Sequence, residues 1–479
     1  MPSLEFQVHR GAKETITEQI AAALRSAIRE GRLAADARLP SWRDLAAQLG
    51  VARGTVRLAY ERLIDEQLIV SSGAAGTHVA RRPATAARAD AGPDGFFEDS
   101  FAAYPRPAGS FQMGIPAQDA FPVKAWSRIV ARAARAAADA PRVYPDPRGE
   151  TGLRAEIAAC LAVARGFACT PSQIFITSGF ASALAFAVRT LQLSGSSCWT
   201  EEPGYPIARR VLVESGVEPV PVTVDAEGLD VGEGIATAPH ASMAIVTAGQ
   251  QAPLGATLSP QRRHALLDWA SRAGAWIVED DYLSELQLRG RAEPALASLD
   301  REGRVLHIGT FSKTISPSLR LGFLVVPPAL VARFTRGVAT TALAPTPLIQ
   351  HAVGEFLRDG HYLRHLRRMK RLYALRRDAL TAGLNALSMQ HVAAGLAVLL
   401  RLPPGLSDVE AARAAHAQGL APTALSLWYA QPRPEHAGLL LGVTNLREEE
   451  VAASCARLRD VISQLEFRPA ASPSSRPPA

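Results

Sequence analysis

Lys313 lies in the stretch GTFSKTISPSLRLGF (309–323), between a turn of small residues and Arg320 seven positions on. The chain holds only four lysines, at 13, 124, 313 and 370, and its remaining positive charge is arginine, so a lysine kept here is informative. A lysine amine condenses with an aldehyde, and pyridoxal 5'-phosphate (PLP) is the cofactor that pairs such a lysine with an acid for its pyridinium nitrogen. Asp280, in WIVEDDY, supplies that acid at the end of an apolar run. The phosphate also needs donors, and the backbone N–H groups of TSGFAS at a helix start offer them, with Ser178, Ser312 and Arg320 as side-chain donors.

Four apolar runs end in polar or glycine clusters: IFITSG, AIVTAGQQAPLG, WIVEDDY and VLHIGTFSK. Ligands of open α/β sheets sit beyond the carboxyl ends of the strands, so these clusters are expected to converge on one cleft. Helical segments alternate with short apolar runs through most of the chain, which predicts an α/β domain with a largely parallel sheet. The first 80 residues differ. ITEQIAAALRSAIREGRL has helical periodicity, and LPSWRDLAAQLG follows, with Ser41 as a cap, Asp44 three residues on to complete a capping box, and Gly50 at the exit. RGTVRLAYERLIDEQL then puts Val56, Tyr60 and Leu63 on one face, giving a helix-turn-helix, and LIVSSGAAGTHVA reads as a β-hairpin wing.

The expected organisation is a DNA-binding module at 10–80, a linker at 81–109 rich in Ala, Pro, Gly and Arg, a cofactor domain at 110–465 and a disordered tail at 466–479. The 479 residues, 48% hydrophobic and 20% charged, suit several soluble domains. A net charge of +7 permits a polyanionic partner without demanding one, since residues 1–82 carry twelve Arg and Lys against nine acids, a surplus of three. Cys160, Cys169, Cys198 and Cys455 form no CxxC pair, so reduced thiols are expected rather than zinc or a disulfide framework. The absence of an apolar signal core and of a membrane-length apolar run points to the cytoplasm.

The motifs LPSWRDLAAQLGVARGTV, YPDPRGETGLR, EEPGYP, WIVEDDYLSE and GTFSKTISPSLRLGF occur in that order, and with them the chain resembles the MocR-type transcriptional regulators, in which a GntR-like winged helix is fused to a fold-type I aminotransferase-like domain. The resemblance implies that Lys313 forms the internal aldimine, that Asp280 pairs with the pyridinium nitrogen, and that Tyr282 bonds the phenolic oxygen. It implies further that Tyr205 stacks on the ring, that Arg320, Ser312, Ser178 and Gly179 hold the phosphate, and that Tyr144 reaches the phosphate of the other subunit in a head-to-tail homodimer. On the DNA side it implies Arg43, Arg53 and Thr55 as contacts, with Gly76 in the wing.

Three positions depart from the family pattern. Gln250 stands where a histidine near the ring is expected, Ala181 replaces a glutamine after the phosphate turn, and Leu440 occupies the place of the arginine that grips a substrate carboxylate, for which Arg433 is a weak substitute. Each residue alone also has an ordinary reading. Lys313 could be solvated, Asp280 and Asp281 could be an exposed strand-end pair rather than one acid beside a ring and one outside it, and Tyr144 and Tyr205 could be core or interface aromatics. Arg43 and Arg53 could simply be solvated, and HYLRHLRRMKRLYALRR (361–377) reads as a solvated helix or interface face. The leading expectation is a regulator that binds operator DNA and senses PLP, or an amino compound through an aldimine at Lys313. The alternatives are an active aminotransferase with a vestigial DNA-binding extension and a PLP-level sensor with no amine effector.

Overall fold

Local preferences in the first eighty residues agree on where each helix begins and ends. The Thr15 hydroxyl accepts from Glu18 N and the Glu18 carboxylate accepts from Thr15 N, a capping box that opens α1 (Ile16–Arg29). Ser41 caps α2 (Trp42–Leu49) by accepting from Asp44 N at 3.2 Å, but the Asp44 carboxylate takes the Ser41 hydroxyl proton at 2.7 Å. The expected box is therefore only half made, because the shorter Asp side chain satisfies the cap's hydroxyl rather than its backbone N–H. Gly50, left-handed at φ 62°, ends α2 and turns the chain into α3 (Arg53–Asp65). Val56, Tyr60 and Leu63 all face inward against Ile20, Leu24 and Leu45, each such side chain contributing about 1.5–3 kcal/mol by burial. β1 (Ile69–Ser71) and β2 (Thr77–Val79) pair antiparallel with Ile69 opposite Val79, which completes a winged helix-turn-helix.

In this computed structural model the described residues are 6, 8–11, 14–72, 76–81, 109–139, 144–288, 290, 292–341 and 344–466. The chain divides into two units, residues 1–102 and 103–479. Residues 82–108 of the expected linker, 467–479 of the expected tail and the 73–75 tip of the wing lie outside the described residues.

The second unit is built on an eight-stranded sheet: β3 (Ile174–Thr177), β4 (Ser197–Glu202), β5 (Glu218–Asp225), β6 (Gly228–Leu229), β7 (Met243–Val246), β8 (Trp276–Asp281), β9 (Val305–Thr310) and β10 (Gly322–Val325), in the order β3-β10-β9-β8-β7-β4-β5-β6. Only β10 and β6 run against their neighbours, so β3, β9, β8, β7 and β4 present their carboxyl ends on one edge. Strands β3, β7 and β10 are buried along their whole length, as continuous apolar runs are when helices cover both faces. The covering helices include α4 (Val123–Asp139), α5 (Thr151–Arg165), α6 (Phe180–Leu191), α7 (Pro206–Glu214), α8 (Val231–Thr237), α9 (Pro260–Ala273), α10 (Leu296–Leu299), α11 (Val331–Val338) and α12 (Pro347–Arg358).

The long α13 (His361–Ala386) leads into a smaller antiparallel sheet of β11 (His391–Ala394), β12 (Ala397–Arg401), β13 (Thr423–Ala424) and β14 (Gly438–Gly442), backed by α14 (Asp408–Ala417) and α15 (Val451–Glu466). The basic run 361–377 is only partly the solvated face expected of it. Arg364, Arg367, Arg368 and Arg371 are exposed, whereas Arg376 is buried, because Asp119 at 2.5 Å and the Thr444 carbonyl satisfy its guanidinium. All four cysteines are free thiols. No described helix is long and apolar enough to cross a membrane, and no described cluster of His, Cys, Asp or Glu could hold a metal.

Candidate functional site

Lys313 sits three residues past β9, on the turn that the strand end presents at the sheet edge. Its Nζ donates to the Gly114 carbonyl at 3.1 Å. Burial pushes the amine below its usual pKa, Asp280 opposes that shift, and Arg320 adds to it. The neutral, nucleophilic form is thereby favoured. Gly114 has φ +78°, a left-handed backbone that favours glycine, and a Cβ there would stand 2.8 Å from Nζ and force the amine to move.

The period of two along β8 sends Asp280 to one face and Glu279 and Asp281 to the other. On the far face, Arg165 Nε bonds Asp281 at 2.7 Å, and His307 Nδ1 lies 2.9 Å from Glu279. Both aspartates are buried, which excludes the exposed strand-end pair. Asp281 is indeed outside the Lys313 side, but it is held in an ion pair rather than solvated. On the near face, Asp280 Oδ1 is buried and has no hydrogen-bond partner among the described residues. Burial first, then Asp281 and Glu201, pushes the Asp280 carboxyl well above the usual carboxylate range, with Lys313 opposing.

Tyr282 follows; burial, then Asp280, pushes its phenol up, and the Gln250 side chain opposes that shift. Tyr205 stands at the start of α7, with its ring 5.8 Å from Phe180 and 6.0 Å from Trp428. Tyr205 and Asp280 line one narrow cleft with Thr200, Glu201 and Thr247. Next to it, Ser178 and Gly179 (φ +118°) lead into α6, which has no side-chain cap, and a Cβ on Gly179 would lie 3.6 Å from the Arg320 guanidinium. Arg320 itself is left-handed at φ 47° and exposed. Ser312, beside Lys313, donates its N–H to Thr310 Oγ1 at 3.1 Å.

The structure thus gathers Lys313, Asp280, Tyr282, Gln250 and Tyr205, and it brings Ser178 and Gly179 to Arg320. Tyr144 is fully exposed and stands apart from the other described site residues. Leu440 is buried on β14 in an apolar cluster with Ala394, Ala397, Leu399 and Leu425, and Met113 and Leu254 pack against it. Arg433 is exposed, 3.9 Å from Glu435. Two residues escaped the sequence reading. Gly114 is 199 positions from its lysine partner and carries no local signal. Glu201, visible in EEPGYP, is buried, is pushed up to about 7 by that burial, and accepts from Thr247 N, Thr247 Oγ1 and Gln251 Nε2. It ties the loop that carries Gln250 to the end of β4.

In the first unit, Arg53 is exposed in the first turn of α3, with Thr55 part-buried behind it. Arg43 is exposed, its guanidinium 4.8 Å over the Trp42 ring. Gly76, at φ +93°, leaves room for the Arg38 side chain, whose Nε would lie 3.2 Å from a Cβ there.

Residues 16–79 match the family model for bacterial regulatory proteins of the gntR family, and residues 113–455 match that for aminotransferase class I and II. Over 95% of its length the chain is 37% identical to the probable rhizopine catabolism regulatory protein MocR of Rhizobium meliloti, 96% of which is covered. The chain belongs to the MocR-type transcriptional regulators. The pyridoxine biosynthesis regulator PdxR of Corynebacterium glutamicum is 31% identical over 94% of this chain and 96% of its own. Among solved structures, LysN, the α-aminoadipate aminotransferase of Thermus thermophilus complexed with N-(5'-phosphopyridoxyl)-L-leucine, is 26% identical and covers 74% of this chain and 92% of its own, with a TM-score of 0.67. This MocR-type regulator is therefore a transcription factor whose second unit has the fold of PLP-dependent aminotransferases.

Proposed function

We propose that the protein binds operator DNA through residues 10–80 and holds PLP in residues 110–465, with 81–109 as the linker, and that PLP or a small amino compound captured at Lys313 changes operator binding. The observation that carries this reading is Asp280 Oδ1, a buried acceptor without a partner among the described residues, on the same sheet edge as the part-buried Lys313. Such an atom costs stability unless a ligand donor meets it. A pyridinium N–H is such a donor. The rest of the site fits the same ligand. Lys313 would meet the aldehyde, Tyr282 the phenolic oxygen, Tyr205 and Gln250 the ring, and Ser178, Gly179, Ser312 and Arg320 the phosphate at the uncapped start of α6. When bound, PLP supplies an aldehyde that exchanges reversibly between amines.

Tyr144, fully exposed in one chain, suits a role at the partner's phosphate in a head-to-tail homodimer. The apolar surroundings of Leu440 support a second reading, in which PLP itself is the effector and no carboxylate-bearing amine is gripped. The test is operator affinity and footprint of the full-length protein without PLP, with PLP, and with PLP plus a panel of amines. A change on adding PLP alone favours the second reading, a change only with an amine favours the first, and no change under any condition refutes both.

A further inference from the structure

The outward face of α3 carries a glycine that the fold does not need and a leucine that the fold does not bury. Val56, Ala59, Tyr60 and Leu63 are the buried face of this helix. At 100° per residue, Gly54 and Leu58, four apart, stack on the opposite side, flanked by Arg53, Arg57 and Glu61, all exposed. A Cβ at Gly54 would meet none of the described residues within 4 Å, and the residue has no positive φ. Glycine in a helix is unfavourable relative to alanine, so neither packing nor backbone conformation within the chain accounts for it. Leu58 is 53% exposed, the more open of the two exposed large apolar side chains of α3. The other, Ile64 at 38%, lies in the last turn.

We infer that Leu58 reads sequence, its isobutyl group packing against the 5-methyl of a thymine in the major groove, and that Gly54 lets the first turn of α3 approach the base edges closely enough for that contact. The inference rests on the DNA-binding reading above. A helix in the major groove meets base edges with the residues of its first turns, and the thymine methyl is the apolar feature displayed there. Arg53, at the helix start, and Arg57, loosely paired with Glu61 at 3.6 Å, provide the flanking charge. Leu58 follows Arg57 and lies 100° further round the helix, and it has no polar atom to offer, so it can select for thymine only through shape and apolar contact.

The test starts from a binding site selected by the full-length protein from random duplex DNA. Each thymine of that site is then replaced singly by deoxyuridine, which removes only the methyl group. Wild type should lose about fourfold in affinity at one thymine per half-site, the factor that burial of a single methyl corresponds to. Leu58→Ala should bind the thymine and deoxyuridine duplexes equally, and Leu58→Met, which keeps an apolar contact, should retain a penalty. Leu58 is exposed, so both variants should melt with wild type. Gly54→Ala should weaken binding to the whole site. Wild type indifferent to every replacement, or Leu58→Ala with an unchanged deoxyuridine penalty, overturns the inference while leaving DNA binding intact. Failure to select any site sinks the DNA-binding reading itself, and this inference with it.

Discussion

Replacing Asp280 by Asn should move two quantities in opposite directions. In protein prepared without cofactor, the Asp280 carboxyl is raised by burial, Asp281 and Glu201. A carboxyl whose folded pKa lies above its unfolded value of about 3.9 adds stability that is complete below that value and is lost as the pH rises through the folded pKa. At pH 8, far above the unfolded value, the raised carboxyl therefore costs stability, on the order of the 1–3 kcal/mol expected of a buried polar group with no partner. Asn has nearly the same shape and no charge, so cofactor-free Asp280→Asn should melt above wild type at pH 8, and the gap should close as the pH is lowered. With PLP the sign reverses. Removing one member of a buried ion pair costs about 3–5 kcal/mol, so the Kd for PLP should rise by more than about a hundredfold. Thermal melts across pH and a PLP titration read both arms. A variant that binds PLP within threefold of wild type, or one that melts lower at pH 8 in cofactor-free form, refutes the reasoning.

Gly114→Ala places a Cβ 2.8 Å from Lys313 Nζ at a left-handed φ, so PLP capture should fall at least tenfold with a measurable loss of thermal stability, as followed by absorbance and melting. Tyr144→Ala removes a fully exposed side chain and should leave the melting temperature unchanged; weaker PLP binding only at protein concentrations that support a dimer would show the residue acting across subunits. Arg53→Ala should weaken DNA binding and lower the salt dependence of log K by about one ion, measured by titration at several salt concentrations.

The winged helix was legible in the sequence because its signals are local. A cap at Ser41, a left-handed glycine at 50 and three inward residues at helical spacing in α3 each act within a turn or two. The strand-end clusters were legible for a related reason: continuous apolar runs reveal strands buried on both faces, and a parallel sheet collects their ends. The partners that tune the site were hidden. Asp281 meets Arg165 across 116 positions, and Lys313 meets Gly114 across 199, so neither contact leaves a pattern along the chain. Asp44 failed to complete its box through a side chain one methylene shorter than Glu, a difference of geometry rather than of type. Arg376 broke the basic run at 361–377 because helical phase aims it inward at Asp119.

The most direct test of the central claim uses the scarcity of lysine in this chain. Full-length protein is incubated with PLP, reduced with borohydride to fix any lysine-bound cofactor, digested and mapped by mass spectrometry. The account predicts a phosphopyridoxyl label on Lys313 alone, with no yellow absorption band and no label in Lys313→Ala. A label on Lys124 or Lys370, or none at any of the four lysines under saturating PLP, would contradict it.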